Sequence, residues 1–207
     1  MLREQFIGRN PSHFQLNPVV KAFIISEAFL FSAYNFVIPI FAIFVVRNIE
    51  GGNIQIAASA FSVFLVTRVI FELIICKYLS NKKEKAKFLA TIFGMCLISF
   101  AYLGFSFAHN IYLLFTFFCL AGIGFGIASP PKNAIFSTHL DKNKEATEWG
   151  IRDAVTFIGM ASTAALGGFI AAQYGFGFLF ILASLINFLG IIPYLLYISP
   201  NGRGGPI

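Results

Sequence analysis

Residues 111–131 read IYLLFTFFCLAGIGFGIASPP. Twenty-one residues pass without a charged side chain. A helix of about 20 mostly apolar residues crosses a hydrocarbon core about 30 Å thick, so this stretch is predicted to span a membrane. Ser129-Pro130-Pro131 reads as its stop, because proline lacks a backbone donor and disfavours helical geometry in the residue before it. Lys132 then reads as the start of a polar connection.

Five further apolar runs surround this one, at about 20–46, 54–76, 88–108, 150–172 and 176–199. The separators are short and carry charge or turn residues, such as Gly51-Gly52 and Tyr174-Gly175. The expectation is an all-α membrane protein of six transmembrane helices. A cytoplasmic N-terminal segment fills 1–19, the transmembrane domain 20–199, and a cytoplasmic tail 200–207. Barrel strands would be shorter and would alternate in polarity. The N-terminal segment has no apolar core, so it does not read as a cleavable signal peptide.

Composition agrees. The 207 residues are 57% hydrophobic and 12% charged, and the mean hydropathy is +0.79. Soluble domains are about 45–50% apolar and about 25% charged, so this chain lacks the polar residues to cover a water-facing surface. Disorder is excluded by the same numbers. The net charge of +6 does not indicate nucleic acid, because the basic residues sit in short patches between apolar runs. With the N-terminus inside, the inner segments carry Lys77, Lys82, Lys83, Lys85, Lys87, Lys132, Lys142, Lys144 and Arg152, with Arg3, Arg9, Lys21 and Arg203. The outer segments carry only Arg47. This asymmetry places both termini in the cytoplasm of a multi-pass cell-membrane protein.

Ionisable groups inside spans are functional candidates by default. Glu27 lies roughly 9 Å inside helix 1, and Arg68 and Glu72 roughly 13 Å and 7 Å inside helix 2, at a rise of about 1.5 Å per residue. Arg68 and Glu72 are four apart and share a face. A Glu27–Arg68–Glu72 cluster is expected, either as a coupling or solute-charge site or as an ion pair that fixes helix 1 against helix 2. Asn35 is a fourth candidate, since Pro39 cannot donate back to it and helix 1 should bend there. Arg152 and Asp153 open helix 5, where they read as a cap or a cytoplasmic gate contact.

Gly122, Gly124 and Gly126 sit in GIGFGIA, inside an apolar span with no preceding strand, so close helix packing is expected there rather than a dinucleotide loop. Ala164, Gly168 and Ala172 form a small-residue stripe that should admit a neighbouring helix. Cys76, Cys96 and Cys119 lie in apolar runs without zinc or redox spacing and read as small packing residues. His13, His109 and His139 fall outside the spans. No enzyme motif is present, and no cofactor or metal is expected.

The two halves of the chain share a short match, IPIFAIF at 38–44 and PPKNAIF at 130–136. A repeated three-helix unit must invert its topology. The six-span order, the basic loop after helix 2 and the stretch GIGFGIASPPKNAIFSTHLDKNKEATEWGIRDAVTFIGMASTAALGGFIAAQYGF (122–176) resemble one six-helix half of a major facilitator superfamily transporter. The family loop reads like G-x-L-A-D-R-x-G-R-K. Here 77–87 read KYLSNKKEKAK, matching at Leu79, Lys82, Lys85 and Lys87. Lys77 and Glu84 replace the glycines, and Asn81 replaces the aspartate.

The resemblance implies a half bundle of two inverted three-helix repeats. It implies a secondary transporter moving a small solute by alternating access, with a proton as the candidate coupling ion. Two copies in a parallel homodimer, or one copy with a partner half, would complete a twelve-helix transporter. Asn81, Lys82, Lys85, Arg152 and Asp153 then become cytoplasmic gate candidates. The alternatives are a non-transporting membrane assembly subunit and a truncated half of a larger permease.

Overall fold

The structure, a computed structural model, describes residues 16–198. The readings placed on Arg3, Arg9, His13 and Arg203 lie outside the described residues. The described chain is helical between short links. Its elements are α1 (Pro18–Val37), a 3-10 turn (Ile38–Ile40), α2 (Phe41–Asn48), α3 (Ile54–Leu79), α4 (Glu84–Phe105), α5 (Ile111–Thr138), α6 (Glu145–Leu189) and α7 (Ile192–Ile198). Three helices start on asparagine caps. Asn17 accepts from Val19 N at 3.0 Å, Asn53 from Ile56 N at 2.9 Å and Asn110 from Leu113 N at 2.9 Å. Each satisfies an amide that the first turn leaves unpaired. Regular geometry lapses at Ile38–Ile40, around Pro39.

The outside of the bundle is apolar. Leu73 is 67% exposed, Ile158 68%, Phe169 59% and Leu196 65%, a surface suited to hydrocarbon and not to water. Five helical stretches are long and apolar enough to cross a membrane. The protein is a multi-pass membrane protein.

The last stretch, Glu145–Leu196, stands where two spans were expected, at 150–172 and 176–199. Its backbone leaves helical geometry at Gly175, with φ 83° and ψ 166°. Only glycine adopts that left-handed region without strain. The chain reverses there. Before Gly175, α6 runs parallel to α1: Arg152 meets Glu27, and Gly159 packs on Ser32. After it the order inverts: Phe180 packs on Phe44, Ser26 Oγ donates to Gly190 O at 2.5 Å, and Tyr194 packs on Phe23.

The expected stop at Ser129-Pro130-Pro131 is corrected. Both prolines lie inside α5, which continues to Thr138. An interior proline costs about 3 kcal/mol or more, so the extra turns must be held by packing. Ile135 is 1% exposed and Phe136 2%, and Phe136 packs on Phe23 and Trp149.

The α5 glycines divide between two neighbours. Positions two apart on a helix point to nearly opposite sides, and positions four apart share a side. Accordingly, a methyl group at Gly122 or Gly126 would lie 2.6 Å from Phe64 O or 2.7 Å from Arg68 O, both on α3. One at Gly124 would lie 2.7 Å from Gly94 O on α4. The expected packing stripe in helix 5 is corrected. Ala172 is exposed and nothing lies within 4 Å of a methyl group added at Gly168. The contact glycines of that segment are Gly159, against Ser32, and Gly167, against the Phe36 carbonyl.

α1 and α5 run antiparallel and touch through long side chains in one register. Glu27 pairs with Lys132, Tyr34 packs on Phe125 and Phe41, the first residue of α2, packs on Phe118. Each step is seven residues on both strands of the ladder, close to two helical turns. The ladder is aromatic in its middle and ionic at one end. That end also carries Lys82, Lys83, Lys85 and Lys87, and is the basic end below.

Candidate functional site

Three helices bring three charges together near the basic end. Glu27 Oε2 on α1 receives Lys132 Nζ from α5 at 2.9 Å. Glu27 Oε1 receives an Arg152 guanidinium nitrogen from α6 at 2.8 Å. The side chains of Glu27 and Lys132 are each 3% exposed, and that of Arg152 15%. From the helix ends these residues are about 9–14 Å deep, at about 1.5 Å per residue.

Aromatic rings complete the cluster. Lys132 Nζ lies 5.5 Å from the Phe31 ring centroid, and the Arg152 guanidinium 4.6 Å from Trp149 and 5.4 Å from Phe136. Such faces attract cations and exclude water. One turn before Arg152, the fully buried Glu148 accepts the Asp141 amide at 3.1 Å, which ties the α5–α6 link to the base of α6. Burying charges is tolerable only where they are paired and hydrogen-bonded. Here each carboxylate oxygen takes one cation.

The expected Glu27–Arg68–Glu72 cluster is corrected. The partners of Glu27 are Lys132 and Arg152. Arg68 instead meets Glu72 within α3 at 3.6 Å, on a face that leaves the two side chains 31% and 37% exposed. Gly122 and Gly126 hold α3 against α5, and there Arg68 sits 5.4 Å from the Phe125 ring. Asn35 is half-buried and donates to Phe31 O in its own helix at 3.2 Å.

The gate candidates divide. Arg152 joins the buried cluster, while Asp153, Asn81 and Lys85 are exposed. Lys82 lies 5.1 Å from the Tyr78 ring. Among the described residues, Asp153 and Lys82 form no ion pair with each other. Lys132 is the functional residue that the sequence reading misses, because it was assigned to a connection.

The residues also carry a family signature. The family model described as Major Facilitator Superfamily matches residues 23–206. The chain is a member of that superfamily. Members of the Major Facilitator Superfamily are membrane transporters and not enzymes. Among its relatives is the bacillibactin exporter of Bacillus subtilis (strain 168), 28% identical over 85 residues, which are 41% of this chain and 21% of that protein. Among solved structures, the POT family transporter PepTSo superposes with a TM-score of 0.74 at 12% identity, covering 92% of this chain and 40% of that one. That likeness concerns the fold. The chain spans less than half the length of either protein.

Proposed function

We propose that this superfamily member is a half-size secondary transporter that moves a small solute by alternating access, with Glu27, Lys132 and Arg152 as its solute and coupling site. The observation that carries the reading is the buried carboxylate held between two cations from two other helices. Ionisable groups at such depth are costly to keep and mark solute or proton pathways.

The cluster also offers a coupling logic. Ionised Glu27 holds both cations, and a proton on Glu27 would release them. The charged and titratable groups around it are Lys132 and Arg152, with Tyr194 on α7 packed on Phe23 one turn before Glu27, and Arg68 on α3 over the Phe125 ring.

In this reading the chain crosses the membrane six times, with residues 20–199 as one domain and the reversal at Gly175 between the last two crossings. Both termini and the basic end face the cytoplasm of the cell membrane, by the charge asymmetry. The six helices form two inverted three-helix repeats. The matched phenylalanines of the short repeat support this: Phe44 packs on Phe180, and Phe136 packs on Phe23 and Trp149, at opposite ends of the bundle.

The void between the aromatic rungs, lined by Tyr34, Tyr102, Phe118 and Phe125, is only about 20 Å³. Clefts of about 200 and 260 Å³ near the two ends contain none of the three charged residues. A solute therefore needs a second six-helix unit to enclose it, which we take to be a copy in a parallel homodimer or a partner half. Two identical units inserted the same way relate by an axis along the membrane normal.

The test is uptake of a screened solute into reconstituted vesicles with and without a pH gradient. Wild-type accumulation should require the gradient, and E27Q should exchange solute without responding to it. Gradient-driven accumulation by E27Q at the wild-type level would remove Glu27 from the coupling step. Native mass measurement in mild detergent that finds only monomer would remove the homodimer.

A further inference from the structure

We infer that the solute of this site carries a carboxylate, an inference that rests on reading the triad as the solute site. The cluster is a two-cation cradle. Lys132 and Arg152 approach one carboxylate, each on its own oxygen, at 2.9 and 2.8 Å. Glu27 thus shows in place what the cradle is shaped to hold: two oxygens on one carbon, with a cation on each.

The charge count points the same way. One carboxylate faces two basic side chains, so with all three ionised the triad carries a formal excess of one positive charge. Arg68 and Glu72 beside it cancel and leave that excess unchanged. A lysine has three N–H donors and an arginine five. Among the described residues, each side chain has one protein oxygen partner, a Glu27 carboxylate oxygen. Beside the two cations lie the aromatic rings of Phe31 and Trp149. An uncharged or cationic solute would leave the excess unbalanced or increase it. A monoanion cancels it, and a planar carboxylate can bridge the two nitrogen centres as Glu27 does. Arg152, the more exposed of the three side chains, is the point of approach.

The experiment uses the reporter that the site supplies. Trp149 is the only tryptophan in the chain, and it lies 4.6 Å from the Arg152 guanidinium. Its fluorescence is followed while the full chain in detergent is titrated with benzoate, citrate, benzamide and benzylamine. Ionic strength is held constant with chloride. Benzoate or citrate should give a saturable change that benzamide and benzylamine do not. K132Q should weaken that response by roughly tenfold or more, the scale of one lost charge-assisted hydrogen bond. K132R keeps the charge and should stay within about threefold. E27Q should tighten the response, because it raises the excess charge and sets an amide NH2, a donor, where one cation had a carboxylate oxygen, an effect that a merely structural role for Glu27 would not produce.

A saturable wild-type response to benzamide or benzylamine and not to benzoate or citrate overturns the carboxylate inference and leaves the transporter reading standing. No saturable response to any of the four overturns the carboxylate inference, and the transporter reading stands or falls on the uptake assay. The wild-type panel decides between these outcomes even if a variant fails to fold.

Discussion

Lys132, two turns beyond the middle of an otherwise uncharged helix and directly after two prolines, places its ammonium 2.9 Å from the carboxylate of Glu27, with both side chains 3% exposed. A buried pair broken on one side leaves an uncompensated charge and costs about 3–5 kcal/mol in soluble proteins. Lys132→Met is therefore expected to lower thermal stability in detergent strongly, and Glu27→Gln on top of it to recover part of the loss. The coupling should fall within about 0.5–3 kcal/mol. Equal and additive losses would mean that the two residues do not act as a pair.

The helix contacts predict a second contrast. Gly94 and Gly124 face each other so closely that a methyl group on either would lie 2.6–2.7 Å from the other's carbonyl oxygen. Gly124→Val should prevent α4 and α5 from closing and give aggregated or poorly expressed protein. Gly168→Val meets nothing within 4 Å and should purify as a single species with a melting temperature near wild type. The measurement is size exclusion followed by thermal unfolding. Instability of the Gly168 variant would restore the small-residue stripe as an internal packing face.

The polar contacts of α6 supply a third prediction. Asn187 is fully buried and donates to Met95 O at 2.8 Å and Ser99 Oγ at 2.7 Å, while Ser184 Oγ donates to Ser99 O at 2.9 Å. Interhelical hydrogen bonds in membranes are worth about 0.6 kcal/mol on average and about 1.7 at most. Asn187→Leu should therefore lower stability modestly while preserving any solute-induced change at Trp149, since the contact lies on α4 and not at the charged triad. Loss of that response would tie the α4–α6 contact to the site.

Most of the fold is legible in the sequence because the bilayer demands long apolar helices, and the asparagines at 17, 53 and 110 mark where three of them begin. The site is less legible, because a proline pair was read by its local preference. The apolar stripe shows why tertiary packing prevails. Leu114, Phe118, Ala121, Phe125, Ala128, Lys132 and Ile135 recur at alternating steps of four and three, and all are buried. That period runs through Pro130 and Pro131 without interruption and makes Lys132 an interior position of the same face. The partner of Glu27 was then mistaken because Arg68 lies at a suitable depth. Depth fixes a level in the bundle, whereas the glycines of α5 fix which helix stands beside which. The stripe of Ala164, Gly168 and Ala172 follows from the same limit, since small residues permit close approach without specifying a neighbour.

The reversal at Gly175 makes the sixth crossing testable. In a background without Cys76, Cys96 and Cys119, single cysteines at Asn53, Tyr174 and Lys142 would report the two sides of the membrane. Tyr174 is 66% exposed beside the reversal, at the end of the bundle opposite Lys142. A membrane-impermeant maleimide added to intact cells should label the cysteines at 53 and 174, and the one at 142 only after the membrane is opened. Labelling of 174 solely in opened membranes would mean that α6 crosses once and that its far arm lies on the inner side. Labelling of 142 in intact cells would invert the orientation assigned from the basic residues and place the charged triad near the outer face, where the inward proton gradient would reach Glu27 first.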